Sequence, residues 1–179
     1  MLRCNWAQFN DQEIHLAAWN YNREFLLRQH FRYDQNVDSK MGSKHMRIGF
    51  QEPGEILFAC QMEQGNAATM LIAPNNQATF WGAPNGPCGD RRWHEMEVYI
   101  RDAVNGAGGI IRVWIDGVMI REWVGNTGGH RQNLYIPSNW ASNPGWEHDT
   151  LNHVYFDSIE IISDRGTGGT GSLADGTAR

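Results

Sequence analysis

Side chains that can bind an anion or exchange a proton recur along this 179-residue chain. Arginine and glutamine side chains can hold a carboxylate, whereas histidine and tyrosine side chains can take up or release a proton. Tryptophan presents a flat apolar face and an N–H donor, which suits a sugar ring. The residues concerned are Arg28, His30, Arg32, His45, Arg47, Gln61, Glu95, Glu97, Tyr99, Arg112 and Trp114.

Alternation of apolar and polar residues predicts that these side chains lie on the polar faces of β-strands, since successive side chains on a strand point to opposite sides. The pattern is clearest in residues 93–101 and recurs in residues 24–35, 44–51 and 55–63. If these strands share one sheet, its polar face carries charge and aromatic rings. The plainer interpretation is that arginine and glutamate pair across neighbouring strands and stabilise the sheet.

A tight hairpin is predicted at Asp116 and Gly117. These two residues separate alternating runs at residues 111–115 and 118–121, and both turn positions favour positive φ. Helical periodicity is nearly absent from the chain. Roughly nine to eleven strands joined by polar turns predict an all-β fold, an antiparallel two-sheet β-sandwich or jelly roll.

The closing strand of this sandwich is predicted at residues 154–162, with Tyr155, Ile159 and Ile161 on its core face. Weaker strands are predicted at residues 13–21, 66–73 and 77–82.

One domain is expected for residues 1–164, followed by a tail at residues 165–179. Glycine and threonine dominate this tail, which is the composition of a flexible linker. Such a segment does not fold alone, so the tail is predicted to contact neighbouring protein chains.

A long polar segment, residues 124–152, carries Trp140 and Trp146 among Asn, Ser, Gly and Pro. Loops of this length in compact domains are usually functional or disordered. Both tryptophans are candidates for glycan binding, and the alternative is that they pin the loop to the body of the domain.

Charge and motif content exclude several classes of function. The formal net charge is −5, from 15 basic and 20 acidic residues, which argues against a general nucleic-acid binder. No apolar run approaches the ~20 residues that span a bilayer, so membrane insertion is not expected, and no signal peptide is visible. The three cysteines, Cys4, Cys60 and Cys88, form no CxxC motif and indicate thiols rather than a disulfide framework.

The string RWHEMEVYI at residues 92–100, followed by RVWIDGV at residues 112–118, resembles the corresponding strands of concanavalin A-like lectin/glucanase domains. The closing string VYFDSIEI at residues 154–161 is similar to the last strand of that superfamily. A basic strand pair, Arg28 to Arg32 and Lys44 to Arg47, makes polysaccharide-lyase-like modules the most similar group. The resemblance implies a jelly roll whose concave sheet binds an extended glycan.

This resemblance also implies a possible chemistry, the β-elimination of an acidic glycan. Arg47 or Gln61 would neutralise the uronate carboxylate, and His30 or Tyr99 would exchange protons. The Arg-x-Glu-hydrophobic-Arg and Gln-Ile-His strings of such lyases are missing, so no residue is firmly assigned as catalytic. The Glu-x-Asp-x-x-Glu strand of related hydrolases is missing too, which argues against glycoside hydrolysis by Glu95 and Glu97.

No cofactor is expected. The favoured interpretation of Asp157 is that it caps a turn. The resemblance offers an alternative, in which Asp157 contributes an oxygen ligand to a structural calcium ion. The favoured hypothesis is a non-catalytic glycan-binding module of a larger assembly, such as a phage virion decoration, fibre or adhesin. The alternative is a polysaccharide lyase. A third is a secreted glycan-binding domain of a larger enzyme. Localisation is accordingly predicted as virion or extracellular.

Overall fold

The computed structural model describes residues 2–5, 14–17, 23–33, 43–49, 56–62, 68–74, 79–81, 87, 90–128, 133–136 and 153–163. Every regular element in this part of the chain is a β-strand. No helix among these described residues has the length and apolar character to cross a membrane.

The described residues form two six-stranded antiparallel sheets, which confirms the predicted β-sandwich. The first sheet consists, in spatial order, of β1 (Leu2–Asn5), β12 (His153–Ser163), β3 (Glu24–Tyr33), β8 (His94–Arg101), β9 (Gly109–Ile115) and β10 (Val118–Gly125). The second sheet consists of β2 (Ile14–Ala17), β11 (Asn133–Ile136), β4 (Ser43–Ile48), β5 (Ile56–Met62), β6 (Ala68–Pro74) and β7 (Thr79–Trp81).

The hydrophobic core lies between the two sheets, because each strand turns alternate residues inward. On β3 and β8 these are the apolar residues of the alternation, such as Phe25, Leu27 and Val98, all fully buried. From the second sheet, Ile48 and Phe58 reach the same cluster. Each sheet therefore has one core face and one outward face.

The predicted hairpin is present between β9 and β10. Asp116 and Gly117 have φ values of 51° and 74°, as a turn with two positive φ angles requires. The strand that follows is longer than predicted, since β10 extends to Gly125. A further strand, β11, lies inside the segment that was predicted as one long loop.

The closing strand departs from simple alternation. A bulge between Asp157 and Glu160 inserts extra backbone, with Ser158 at a φ of 53°. Phe156, 1% exposed, is therefore the core residue before the bulge, and Ile159 packs on the core after it. The prediction that Tyr155 faces the core is wrong. The extra residue in the bulge interrupts the alternation, so the inward positions of Ile159 and Ile161 cannot be extended back to Tyr155.

Candidate functional site

Most of the predicted polar residues lie on the outward face of the first sheet. β3 and β8 are neighbours, and their register places Arg28 opposite Glu97. On the next strand, β9, Trp114 lies opposite Glu97 in turn. The predicted residues that the structure brings together on this face are Arg28, His30, Arg32, Glu95, Glu97, Tyr99, Arg112 and Trp114.

Ion pairs occupy the middle of this face. Arg28 donates from Nε and Nη2 to Oε1 of Glu97 at 2.9 and 2.6 Å, and from Nη1 to Glu160 at 3.1 Å. The hydrogen bond to Glu97 raises the pKa of Arg28 above its ordinary value. In the next row, His30 Nε2 lies 3.4 Å from Glu95 Oε2.

Burial limits what the rest of this face can contact. Glu97 is 1% exposed, Tyr99 2% and Trp114 6%. Tyr99 donates to Oε2 of Glu24 at 2.5 Å, and burial together with this bond raises the pKa of Tyr99. These contacts fit the plainer interpretation, in which cross-strand pairs stabilise the sheet.

His45 was predicted on the polar face, and the structure places it in the core instead. A register shift between Lys44 and Met46 makes His45 an extra residue of β4, so the alternation no longer applies there. Its ring lies 2.6 Å from Nε2 of Gln29 and 2.9 Å from the hydroxyl of Tyr33, both on the opposite sheet. Burial lowers the pKa of His45 to about 3, so the ring is neutral.

Arg47 is the predicted residue that stands out on the second sheet. It lies between the core residues Met46 and Ile48, so it belongs to the outward face. Yet Arg47 is only 7% exposed, and burial of a charged residue is rare unless it has partners. Neighbouring groups therefore cover most of the Arg47 side chain.

Strand register aligns two further residues with Arg47. Tyr135 on β11 is directly opposite Arg47, and His15 on β2 is directly opposite Tyr135. The adjoining pair of Leu134 and Ile48 is fully buried, so Arg47, one residue before Ile48, belongs to the outward face. Sequence inspection missed Tyr135 because β11 is short and lies in the segment predicted as a loop.

The four residues suggested for a lyase do not converge. His30 and Tyr99 belong to the first sheet, whereas Arg47 and Gln61 belong to the second, on the opposite side of the sandwich. Gln61 is also four residues along β5 from Leu57, the residue opposite Arg47, which is about 14 Å at strand spacing. The pairing of Arg47 with His30 or Tyr99 is therefore wrong.

Several predicted residues lie outside the part of the chain that the structure describes. These include Trp140, Trp146 and the tail at residues 165–179. Asp157 is described and accepts a hydrogen bond from the backbone N–H of Ser158 at 2.9 Å within the bulge. Among the described residues, no group of three or more His, Cys, Asp and Glu side chains could hold a metal ion.

The motif at residues 92–100 contains His94, whose hydrogen bonds link β8 to the hairpin turn and to the segment before β8. His94 bonds through Nδ1 to Asp116 at 2.7 Å and through Nε2 to Asp90 at 2.9 Å. Asp116 also accepts the backbone N–H of Glu95 at 2.9 Å, which ties the hairpin turn to β8. Burial opposes protonation of the imidazole, but the two hydrogen bonds hold the pKa of His94 above its ordinary value.

Solved structures that are similar to this fold include an alginate lyase, an agglutinin and a pentraxin. An alginate lyase matches at a TM-score of 0.64 and 11% identity, covering 86% of this chain and 80% of the lyase. A homodimeric agglutinin from chicken liver matches at 0.51 and 12% identity, covering 84% and 100%. A pentraxin from Limulus polyphemus matches at 0.52 and 9% identity, covering 89% and 74%.

No protein-family model matches the chain, and no curated protein matches it. At these identities the structural likeness establishes the fold. The chain folds as an antiparallel two-sheet β-sandwich of the jelly-roll type, as predicted.

Proposed function

We propose that this jelly roll binds an acidic polysaccharide along the outward face of its second sheet, with Arg47 holding a sugar carboxylate. The observation that carries the proposal is the position of Arg47, an arginine 7% exposed yet on an outward face. A guanidinium group presents several N–H donors in one plane, which matches the two oxygens of a carboxylate.

The neighbours of Arg47 support a sugar-binding surface. Tyr135 and His15 continue its row across two strands, spaced about 4.8 Å apart. Aromatic and imidazole groups supply flat surfaces and hydrogen-bonding groups for sugar rings and hydroxyls. The alginate lyase and the agglutinin that share this fold make a carbohydrate ligand the natural first test.

Arg47→Ala provides the test of this proposal. Binding of sodium alginate, measured by isothermal titration calorimetry, should weaken by at least about tenfold, because a charge-assisted contact is lost. Arg47→Lys should recover part of the affinity. Arg121→Ala, on β10 of the other sheet, removes one arginine elsewhere and should bind as the wild type does. Equal affinity and equal stoichiometry of binding by Arg47→Ala and wild type would refute the proposal.

A second candidate function is cleavage of the same polymer by β-elimination. The specific observation in its favour is that a tyrosine and a histidine share the row of Arg47. Arg47 would neutralise the carboxylate, and Tyr135 or His15 would take the proton from C5. The C4–O bond then breaks, a C4=C5 double bond forms, and the residue that took the C5 proton returns it to the leaving oxygen.

Cleavage is tested by the ultraviolet absorbance of the unsaturated product. Wild-type protein incubated with alginate or glucuronan should produce it, and Tyr135→Phe should abolish it while polymer binding remains. If the wild type binds the polymer and releases no unsaturated product, the domain is a binding module without lyase activity.

The predicted role in a virion or other assembly is a separate matter. It depends on residues 165–179, which lie outside the described residues, so it stays a prediction. Truncation after residue 164 would test it, since loss of a higher oligomer on light scattering is the expected result and an unchanged monomer contradicts it.

A further inference from the structure

Three planar side chains form a row at one end of the outward face of the first sheet. The guanidinium carbon of Arg32 lies 4.5 Å from the ring centroid of Tyr155 and 5.5 Å from that of Trp93. Tyr155 on β12 is directly opposite Arg32, and Trp93 immediately precedes β8 on the other side of β3. The row therefore crosses three adjacent segments, about 10 Å at the usual strand spacing.

Accessible aromatic surface is concentrated at this end of the face. Trp93 is 37% exposed, and Arg32 and Tyr155 are partly exposed. Farther along the same face, Tyr99 and Trp114 are buried. A ligand approaching the first sheet thus meets an exposed indole beside a guanidinium group, not a flat network of ion pairs.

Three arginines lie at this end of the face, whereas Glu95 and Asp157 lie in the adjoining row, on either side of His30. Arg91 and Arg92 are exposed and directly precede Trp93, and Arg32 lies beside its ring. A guanidinium group can stack through its faces and donate hydrogen bonds in its plane at the same time. The combination suits an acidic sugar, whose apolar C–H face contacts the indole while its carboxylate approaches the arginine.

We propose that Arg32, Trp93 and Tyr155 form a second site for an acidic glycan, on the opposite side of the sandwich from Arg47. Because the outward faces of the two sheets point away from each other, one glycan segment cannot occupy both sites. A single domain therefore holds two polysaccharide chains together. This bridging rests on the proposed function of the second sheet, whereas binding at Arg32 and Trp93 does not.

A capture assay tests the inference. Protein bound to an alginate-coated surface is exposed to fluorescent alginate, and the retained fluorescence reports a second chain on the same molecule. Wild-type protein should retain it. Trp93→Ala should still bind the surface but retain about tenfold less fluorescence, which corresponds to about 1.4 kcal/mol of binding free energy lost with the stacking contact.

Two variants make the assay specific. Arg32→Lys keeps the positive charge but loses the planar group, so it should resemble Trp93→Ala, and it serves where the tryptophan variant does not fold. Val124→Ala removes an exposed apolar side chain, 61% exposed, elsewhere on the first sheet and should retain wild-type bridging.

The outcomes separate the two proposals. Bridging by Trp93→Ala and Arg32→Lys at the wild-type level overturns the second site, and so does wild-type alginate binding that neither substitution weakens. A wild type that binds alginate with an affinity that depends on Trp93 but not on Arg47 supports the site on the first sheet and refutes the one on the second.

Discussion

The imidazole of His45 and the hydroxyl of Tyr33 meet at 2.9 Å across the interior of the sandwich, each contributed by a different sheet. Gln29, from the same strand as Tyr33, donates to the other ring nitrogen at 2.6 Å. A neutral imidazole has one donor and one acceptor, which matches this pair of partners. Phe31 and Phe156 pack against the ring at centroid distances of 4.5 and 5.2 Å, so a proton added here has no nearby countercharge among these contacts.

This buried histidine should make the domain sensitive to acid. Unfolded chain takes up the proton near pH 6.5, whereas folded protein resists it down to a pKa of about 3. The contribution of His45 is therefore complete above pH 6.5 and is lost as the pH falls from there toward 3. Its share of the free energy of unfolding should fall by up to about 1.4 kcal/mol per pH unit.

Urea denaturation of wild type and His45→Gln between pH 7.5 and 4 measures this share. The variant should be less stable at neutral pH and lose less stability on acidification, because glutamine does not titrate. Parallel pH profiles for the two proteins would show that His45 does not control acid stability.

The hydrogen bond between His94 and Asp116 should stabilise the fold with the opposite pH dependence. The pKa of His94 is raised in the folded protein, so the stabilisation is complete below pH 6.5 and is lost as the pH rises through the folded-state value. Asp116→Asn removes one carboxylate while retaining a residue type that tolerates the φ of 51°. NMR titration should give His94 a pKa above 6.5 in wild type and a lower one in the variant. An unchanged pKa would contradict the role of Asp116.

Alternation along the sequence was sufficient to predict the strands, the hairpin at Asp116 and the inward residues of β3 and β8. It could not assign strands to sheets, because a polar face looks the same on either sheet. For that reason His30 and Tyr99 were grouped with Arg47, which lies on the other side of the sandwich.

Two β-bulges explain why two side chains lie on the side of the sheet opposite to the one predicted. Each inserts a residue that breaks the period of two, and so His45 was expected outside and Tyr155 inside. The partners of Arg47 depend on long-range pairing of β2, β11 and β4, which no local pattern encodes. Their register emerges only when the sheet is assembled.

The pair of Arg28 and Glu97 should matter for stability. Two guanidinium nitrogens donate to one oxygen of Glu97, which is 1% exposed, so removing its charge leaves Arg28 without its most buried partner. Glu97→Gln should lower the free energy of unfolding by about 2 kcal/mol. Glu160→Gln changes another partner of Arg28, whose side chain is 53% exposed, and should cost about 0.5 kcal/mol or less. Similar losses for the two variants would contradict the importance of burial here.

Gly109 should be the glycine of the β9–β10 ladder that least tolerates a side chain. A Cβ there would lie 2.6 Å from Cγ2 of Thr127 and 2.8 Å from the carbonyl oxygen of Gly125. Thr127 cannot easily move, because it is 1% exposed and its hydroxyl accepts the N–H of Ala103 at 2.8 Å. Gly109→Ala should therefore cost about 2–3 kcal/mol through overpacking.

Gly108 provides the matched control for this substitution. A Cβ at Gly108 meets nothing within 4 Å, but the backbone has a φ of 69°, so Gly108→Ala should cost only about 1 kcal/mol of backbone strain. Urea denaturation of both variants separates steric overlap from strain. A Gly108→Ala variant as unstable as Gly109→Ala would mean that backbone conformation, and not contact with Thr127, makes glycine necessary at this end of the hairpin.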